Sequence, residues 1–449
     1  MSKKKWALFV LAAILIFGYI KLFYKTYTED VVAKTADCII VLDVKRITNT
    51  LIWEYITTPS QWKGGKLFPK KSDKVDWKDM FVFPDFIFVF HSKNQPANAW
   101  YTLLTIKDKT DLEKGLLQFQ FEKINGQEYV NKGYSIRFYI SYDKVLVSNA
   151  AVSDTTYMNA VANELFTKKD YIPRATLSKA IKAKSHLAVY ISPNGFLQKE
   201  ALIAANFNKK RIEVTGTITP GKQYAFTENN FTYSSGSLCT WGFTQPSQDL
   251  YALFNNSYKE KISTALNLNI DSLLQATNKS YSLDLAAIKQ RADSAISYTY
   301  DDEFNKVEKV VVNNIQEPAF AFTITGDNVP AIYSYLQRNN KLEKTTTGDL
   351  FIPMPLVRSY CRLKNEKQLA ITAFNYTTGA EDQSVTAIFF LNLLLTRIPP
   401  DLQKYLPDPL VKAMSNIAAI KLSATKNNDL VVLSAIFEKK KNDLPVIKF

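Results

Sequence analysis

Residues of the kinds that carry out catalysis are scarce in this chain. It has 449 residues but only two histidines, three cysteines and 14 glycines. His91 and His186 have no G-x-S-x-G motif near them and too few neighbouring ligands for a metal site. Both are expected to be structural residues at strand ends. The glycines form neither a P-loop nor a G-x-G-x-x-G motif, so the sequence gives no signal for a bound cofactor.

Cysteine and carboxylate spacing gives no metal signal either. Cys38, Cys239 and Cys361 are far apart and form no C-x-x-C pair. Buried free thiols are expected, although one disulfide remains open. The acidic clusters, Asp73 with Asp76 and Asp79 and then Asp301 to Glu303, lack the glycine and glutamate spacing of a calcium loop. The sequence therefore indicates no catalytic, cofactor-binding or metal-ligating residue.

Acidic residues are also missing from the N-terminus, where none precedes Glu29. The run from Trp6 to Tyr24 is apolar apart from one lysine and is long enough to span a bilayer as a helix. Lysines flank it, and aromatic residues mark its ends as an interfacial belt would. The residues expected to form this membrane anchor are Lys3, Lys4, Lys5, Trp6, Tyr19, Lys21, Phe23, Tyr24 and Lys25.

A cleaved signal peptide is the alternative for this segment. It requires small residues at a cleavage site, whereas large residues follow the apolar core here, so an uncleaved anchor is favoured. The lysines before the core favour a cytoplasmic N-terminus. We thus expect a single pass through the inner (cytoplasmic) membrane, with the bulk of the chain in the periplasm or outside the cytoplasm.

Long apolar runs are absent from the rest of the chain. The run from Val385 to Leu395 is too short for a second span and contains Asn392, so a buried core helix is predicted there. The net charge is +14, and five of the lysines behind it lie in the first 25 residues. The remaining basic runs lie in apparent turns rather than on one face, so nucleic-acid binding is not expected.

An internal repeat organises the remainder of the sequence. Each copy has an apolar strand, a short helix and a hairpin in the same order, and further helices and strands follow. The paired segments are 36–42 with 237–241, 103–106 with 319–325, 111–119 with 329–342, 134–148 with 356–372, 156–166 with 385–395, 186–191 with 417–422, and 211–218 with 429–436. The ordered matches favour duplication over coincidence.

These patterns predict an α+β fold. It is expected to be a tandem duplication of a mostly antiparallel sheet unit with helices on one face of each sheet, preceded by the single transmembrane helix. The predicted divisions are the cytoplasmic tail and anchor over 1–25, a polar tether over 26–35, a first repeat over 36–220 and a second repeat over 221–449. Apolar residues spaced by three and four predict a helical insertion over about 258–295 in the second repeat.

Aromatic residues make up 13% of the chain, and core packing accounts for most of them. Trp62 and Trp77 flank a loop rich in Lys, Gly and Pro, which leaves open a partly exposed platform for a carbohydrate or a peptide.

The anchor, the strand Ala36-Asp-Cys-Ile-Ile-Val-Leu-Asp43, the helix pattern at 47–56 and the strand from His186 to Ile191 together carry a resemblance. The chain resembles uncharacterised membrane-anchored envelope proteins of Bacteroidetes type with duplicated α+β domains. That resemblance implies the architecture and assigns no functional residues.

Three functions follow as hypotheses. The first is a non-enzymatic, membrane-anchored protein that binds or scaffolds an envelope partner through the seam between its repeats. The second is a hydrolase of envelope polysaccharide or peptide, whose paired carboxylates would be distant in sequence. The third is a protein that handles lipid or another hydrophobic ligand in an apolar groove between the two repeats.

Overall fold

Short runs of alternating apolar residues form antiparallel strands in the computed structural model of this chain, which is a sheet-rich α+β protein with few helices. The structure describes residues 24–57, 75–131, 133, 135–149, 155–208, 210–224, 226–244, 260–261, 263–264, 267–269, 280–354, 357–377, 382–403 and 408–440. These residues divide into two compact units, unit 1 up to Thr219 and unit 2 from Pro220 to Lys440.

Unit 1 contains eleven of the described strands. They are β1 (Ala36–Asp43), β2 (Phe81–Val82), β3 (Phe86–Ser92), β4 (Tyr101–Ile106), β5 (Glu122–Lys123), β6 (Glu128–Asn131), β7 (Ile136–Ser141), β8 (Lys144–Ser148), β9 (Leu187–Ile191), β10 (Ala201–Phe207) and β11 (Arg211–Ile218). Its helices are α1 (Val44–Thr57), α2 (Trp77–Met80), α3 (Lys109–Gln118), α4 (Thr156–Ala162), which continues as a π-helical turn (Asn163–Lys168), and α5 (Arg174–Lys182).

All strand pairs of unit 1 are antiparallel. The order across its sheet is β11-β10-β9-β1-β3-β4-β8-β7-β6-β5. The start of β4 pairs with β3 at Tyr101 and Thr102, and the end of β4 pairs with β2 at Thr105 and Ile106. Asp108 is the N-cap of α3, because its side chain accepts a hydrogen bond from the Asp111 amide at 2.9 Å.

Both faces of this sheet are apolar. Phe88 and Phe90 of β3 and Leu146 of β8 lie in one core cluster together with Met158 of α4 and Leu177 of α5. Residues of opposite parity lie in a second cluster with α2 and α3, namely Ile106, Phe138, Ile140 and Val145 with Met80, Leu112 and Leu116. Because successive strand residues point to opposite faces, the two clusters lie on opposite sides of the sheet. The expectation of helices on one face only is therefore wrong for unit 1.

The segment after the predicted anchor packs onto unit 1. Val32 and Ala33 are fully buried in the first core cluster, and the Val32 carbonyl accepts a hydrogen bond from the Ile172 amide at 3.0 Å. The Thr35 hydroxyl donates to Glu164 at 2.7 Å. The expectation of a polar tether over 26–35 is wrong, because the apolar side chains of this stretch are part of the core.

Unit 2 contains the other twelve described strands. They are β12 (Asn229–Ser234), β13 (Cys239–Thr244), β14 (Ser280–Tyr300), β15 (Lys306–Thr325), β16 (Leu342–Thr345), β17 (Gly348–Phe351), β18 (Ser359–Asn365), β19 (Gln368–Ala373), β20 (Asp382–Ala387), β21 (Phe389–Leu394), β22 (Ile417–Asn427) and β23 (Leu430–Lys439). Its longer helix is α6 (Val329–Arg338), and α7 (Pro400–Gln403) and α8 (Asp408–Met414) follow.

The main sheet of unit 2 has the order β23-β22-β21-β13-β14-β15-β19-β18-β17-β16, again with antiparallel pairs throughout. Strands β12 and β20 form a separate two-stranded sheet. Val329, Ile332 and Leu336 of α6 pack against Leu369 and Ile371 of β19 in the core of this unit.

Two helix predictions in unit 2 are wrong over all or part of their length. The run from Val385 to Leu395 forms the end of β20 and all of β21, where Phe390 is buried against Phe231 and Ala387. The predicted helical insertion over 258–295 is wrong from Ser280 onward, where the chain is a strand; most of 258–279 lies outside the described residues, and residues 260, 261, 263 and 264 are helical as predicted. Apolar spacing alone does not separate a buried strand from a helix in runs of this length.

The predicted transmembrane helix lies outside the described residues except for Tyr24 and Lys25. Within the described part of the chain, no helix has both the length and the apolar character needed to cross a bilayer.

Gly242 in β13 is a close-approach position in the core of unit 2. A Cβ atom there would lie 2.3 Å from Phe390 and 2.7 Å from Phe231. We expect Gly242→Ala to lower the free energy of unfolding by about 1–3 kcal/mol through overpacking, measured by urea denaturation of the full chain. Gly126→Ala is the matched control, because its Cβ would meet nothing within 4 Å. Equal effects of the two substitutions would contradict this packing.

Candidate functional site

An apolar pocket opens on the second face of the unit 1 sheet. It has a volume of about 410 Å³. Its floor is formed by residues of β3, β4, β7 and β8, namely Ile87, Thr102, Leu104, Ile136, Phe138 and Val147. Its wall is formed by Trp77, Phe81, Val82, Phe83, Pro84, Phe119 and Phe121. Twelve of these thirteen residues are apolar, and Thr102 is the single polar one.

The strand register explains why these side chains converge. Thr102 of β4 lies directly opposite Val147 of β8, which lies opposite Phe138 of β7. Directly opposed residues of antiparallel strands share a face, as do residues two apart along a strand. The three strands therefore present one continuous apolar floor. Helix α3 covers the part of this face around Ile106 and Ile140, and the pocket occupies the part beside it.

Trp77 forms the outer wall of the pocket. Its ring stacks on Phe119 with ring centroids 4.7 Å apart and on Phe81 at 5.8 Å. It is 39% exposed, and Val82 and Phe83 beside it are 48% and 57% exposed. Exposed apolar residues that adjoin a concave apolar surface indicate a ligand-binding site rather than residual core. Trp62, which the sequence places with Trp77 beside the same loop as a possible aromatic platform, lies outside the described residues.

The two histidines have structural contacts. The Nδ1 atom of His91 lies 2.7 Å from Asp37, and its Nε2 atom lies 3.1 Å from the Pro96 carbonyl oxygen. His186 is 5% exposed, and its Nδ1 atom accepts a hydrogen bond from the Phe207 amide at 3.2 Å. The neutral ring of His186 therefore carries its proton on Nε2, which faces the Thr50 hydroxyl at 2.7 Å. A general base needs the opposite arrangement toward a hydroxyl nucleophile.

The acidic residues singled out in the sequence stabilise turns. Asp79 accepts from the Asp76 amide at 3.4 Å at the start of α2, and Asp73 lies outside the described residues. Asp301 accepts from the amides of Glu303 and Asn305 at 3.0 and 2.8 Å, and the Asn305 contact is the main cause that lowers the pKa of this carboxyl group. Among the described residues, no group of three or more His, Cys, Asp or Glu side chains could hold a metal ion.

A buried carboxylate that sequence reasoning missed lies in unit 2. Asp284 accepts hydrogen bonds from the Ser234 amide at 2.9 Å and from the Tyr376 hydroxyl at 2.8 Å. Burial is the main cause that raises the pKa of Tyr376, to about 12, so this hydroxyl stays protonated and keeps donating at neutral pH. The contact joins β12, β14 and the segment after β19. In the sequence, Asp284 is one acid in a run predicted as helix and carries no signal.

The three cysteines are free thiols. Burial raises the pKa of Cys38 to about 11 and that of Cys361 to about 12, and it also raises the pKa of Cys239. Because the thiolate is the reactive form, all three are poor nucleophiles at neutral pH.

His186 makes the stability of unit 1 depend on pH. Burial is the main cause that lowers the pKa of this imidazole below its ordinary value. The unfolded chain therefore binds the proton at a higher pH than the folded chain. The contribution of the neutral His186 ring to the free energy of unfolding is thus present at pH 7.5. It is lost as pH falls from the ordinary histidine pKa through the lower pKa of His186 in the folded chain. We expect the free energy of unfolding to decrease as pH falls over this window. We expect His186→Asn to remove this part of the dependence of the free energy of unfolding on pH.

The measurement is urea denaturation of the full chain at a series of pH values. His91→Asn is the matched control, because it leaves the contacts of His186 in place and must retain the His186 part of the slope. An unchanged slope in His186→Asn would contradict the assignment.

Comparisons of the chain with models of protein families, with curated proteins and with solved structures find no match.

Proposed function

We propose that this chain is a single-pass, membrane-anchored envelope protein that binds the acyl chain of a lipid or a similar apolar ligand in the pocket of unit 1. The observation that carries the proposal is the pocket itself, with about 410 Å³ of space and one polar residue among thirteen. Lipid or hydrophobic-ligand handling is the third of the functions that the sequence leaves open. The pocket that supports it lies within unit 1 rather than between two repeats.

The size and lining of the pocket favour an alkyl group. Its volume lies in the range of about 300–1,000 Å³ that is typical of small-molecule sites. Each methylene group moved from water into such a site contributes about 0.8 kcal/mol. A polar ligand would lose its hydration inside the pocket, where Thr102 is the one lining residue with a polar side chain.

The predicted anchor would place unit 1 beside membrane lipid, the proposed source of the ligand. Lys25, at the end of the anchor, forms an ion pair with Asp43, which is 3% exposed, and its ammonium group lies 5.5 Å from the Phe86 ring centroid. The Lys45 ammonium group donates to the Tyr24 carbonyl oxygen, and the Thr26 amide donates to Asp85 at 2.8 Å. If residues 1–25 cross a membrane, these contacts bring unit 1 directly to its surface, where lipid is the most abundant apolar ligand.

We also propose that the two units arose by duplication. The ten-strand orders of the two sheets correspond position by position. Strands β11, β10 and β9 match β23, β22 and β21, and β1, β3 and β4 match β13, β14 and β15. Strands β8, β7, β6 and β5 match β19, β18, β17 and β16. Cys38 is the third residue of β1 and lies between β3 and β9. Cys239 is the first residue of β13 and lies between the corresponding strands, β14 and β21.

The sheet order changes one detail of the repeat alignment. The strand at 186–191 corresponds in position to β21 and not to 417–422, which is part of β22 and matches β10. The helices that follow β8 in unit 1 precede β9, whereas α7 and α8 of unit 2 lie between β21 and β22. Matching these helices to each other therefore shifts the sequence alignment by one strand.

The alkyl-binding proposal predicts a dependence on chain length. Affinity should rise by about 0.8 kcal/mol, or roughly fourfold, for each methylene added to an n-alkyl carboxylate until the pocket is full. Trp77 in the wall supplies a fluorescence signal, and Trp77→Phe identifies the part of the signal that comes from it.

The matched variants are Val82→Glu at the pocket and Leu117→Glu on the exposed side of α3. Both residues are exposed, at 48% and 64%, so both variants should fold. We expect Val82→Glu to weaken alkyl binding at least tenfold, because a carboxylate must lose hydration at the mouth, and Leu117→Glu to leave it unchanged. Affinity that is independent of chain length would refute an alkyl site.

Membrane anchoring is tested separately. The full chain should stay in the membrane fraction after an alkaline wash and should keep its N-terminus, as read by intact mass. The double variant Ala12→Lys, Leu15→Lys should be lost from the membrane fraction, because each charge at the centre of a span costs about 2.5–3.5 kcal/mol. Recovery of a chain shortened at its N-terminus would instead establish a cleaved signal peptide.

A further inference from the structure

The apolar pocket of unit 1 has exposed apolar side chains at its mouth. Phe83 is 57% exposed, Val82 is 48% exposed and Trp77 is 39% exposed. These three residues, called the rim below, also line the pocket, so its apolar surface continues onto the outside of unit 1. Neighbouring exposed apolar side chains of this kind indicate contact with another apolar phase or molecule.

The rim lies at the same end of the unit 1 sheet as the chain that follows the predicted anchor. Asp43, the last residue of β1, is directly opposite Phe86, the first residue of β3. Lys25 forms an ion pair with Asp43, and the Tyr27 ring lies edge-on to the Phe86 ring with centroids 6.3 Å apart. Strand β2 ends three residues before β3 begins, so the rim residues beside it are at this end as well.

Asp85 limits the distance between the rim and this part of the chain. Its carboxylate accepts a hydrogen bond from the Thr26 amide at 2.8 Å and lies 3.6 Å from the Lys45 ammonium group. Lys45 also donates to the Tyr24 carbonyl oxygen. Phe83 comes two residues before Asp85, so even a fully extended chain places its Cα atom within roughly 15 Å of the Thr26 nitrogen.

The predicted anchor identifies what the rim meets. Tyr24 is the last residue of the apolar run and is 64% exposed. If residues 1–25 cross a membrane, Thr26 lies at the membrane surface, and the rim is within reach of the headgroup region, which is about 5–8 Å thick on each side of the bilayer. Tryptophan and tyrosine side chains are enriched in that region.

The size of the rim fits a lipid surface better than a protein partner. Its exposed parts amount to an area on the order of 300 Å², well below the roughly 800 Å² per partner of a standard protein interface. Ion pairs flank the rim: Asp76 lies 3.1 Å from Lys78, and Asp85 pairs with Lys45. Because these charges are balanced, we expect apolar insertion rather than attraction to anionic headgroups to bring the rim into the membrane.

We propose that the rim of the pocket inserts into the membrane beside the anchor, and that an acyl chain passes from the bilayer into the pocket without crossing water. This inference rests on the proposed function, on its membrane anchor and on its alkyl site. Val82 and Phe83 enter the upper acyl region, and Trp77 lies among the headgroups. The contacts of Asp43 and Asp85 with the chain after the anchor hold the mouth of the pocket there.

The first test is the depth of a spin label in the full chain, reconstituted into phosphatidylcholine vesicles. Phe83→Cys places the label on the rim. Asn98→Cys is the matched control, because it is exposed in the connection after β3, at the other end of that strand and roughly 20 Å away along it. The label at position 83 should be accessible to oxygen, which concentrates in lipid, and protected from a water-soluble nickel chelate. The label at position 98 should show the reverse.

The background of this experiment is low. The three native cysteines react poorly because burial raises the pKa of each thiol, and the chain without an added cysteine measures what labelling remains. Both added cysteines replace exposed residues, so both variants should fold, which a thermal melt checks.

The second test is the route by which the pocket fills. The probe is a phosphatidylcholine with a diazirine on one long acyl chain, placed either in the vesicles that hold the protein or in separate vesicles. Photo-crosslinks to the pocket floor on β4 and β8, located by mass spectrometry, should form at least about tenfold faster from the protein's own vesicles, since this lipid crosses water slowly.

Equal exposure of the two labels to the nickel chelate, or equal rates from the two vesicle populations, would overturn the inference. Its failure differs from that of the alkyl site. Affinity that rises with chain length, together with an exposed label at position 83, would refute insertion and leave the alkyl site in place. Affinity that is independent of chain length, together with a protected label, would refute the alkyl site and direct filling and leave the membrane contact of the rim.

Discussion

The unit 1 sheet is apolar on both faces, and this constraint determines how the rest of the unit is built. Alternate residues of β3, β4, β7 and β8 supply two separate core clusters, so each face requires its own cover. Helices α4 and α5 and the segment around Val32 cover one face. Helix α3 and the short α2 cover part of the other. The apolar floor that they leave is the pocket, which thus exists because the covering elements are shorter than the sheet.

Much of the architecture could be predicted from the sequence, and the failures have physical causes. The hairpins at 134–148 and 356–372 and the helix after Asp108 could be predicted, because tight turns and a capping carboxylate are local signals. The runs from Ser280 and from Val385 could not, because their strand state depends on pairing with β13, which is distant in sequence. The polar tether was a wrong prediction because Val32 and Ala33 pack against distant helices.

The candidate site was less accessible to prediction than the fold. Of its residues, only Trp77 attracts attention in the sequence, as an aromatic residue beside a polar loop. Ile87, Thr102, Phe138 and Val147 are ordinary strand residues, and only the register of β3, β4, β7 and β8 brings them to one floor. A catalytic motif is read from residue types at fixed spacing, whereas an apolar site depends on which core positions are left uncovered, and the sequence does not contain that information locally.

The burial of Val32 and Ala33 has a consequence for proteolytic release, if the chain is anchored in a membrane as proposed. Proteases that shed surface domains cut an extended, accessible stalk between the span and the folded body. In this chain Lys25 contacts Asp43, and residues between it and β1 contact Asp85, Glu164 and the core. A cut there would require unit 1 to open first, so shedding would be governed by the stability of its core rather than by the sequence of a stalk.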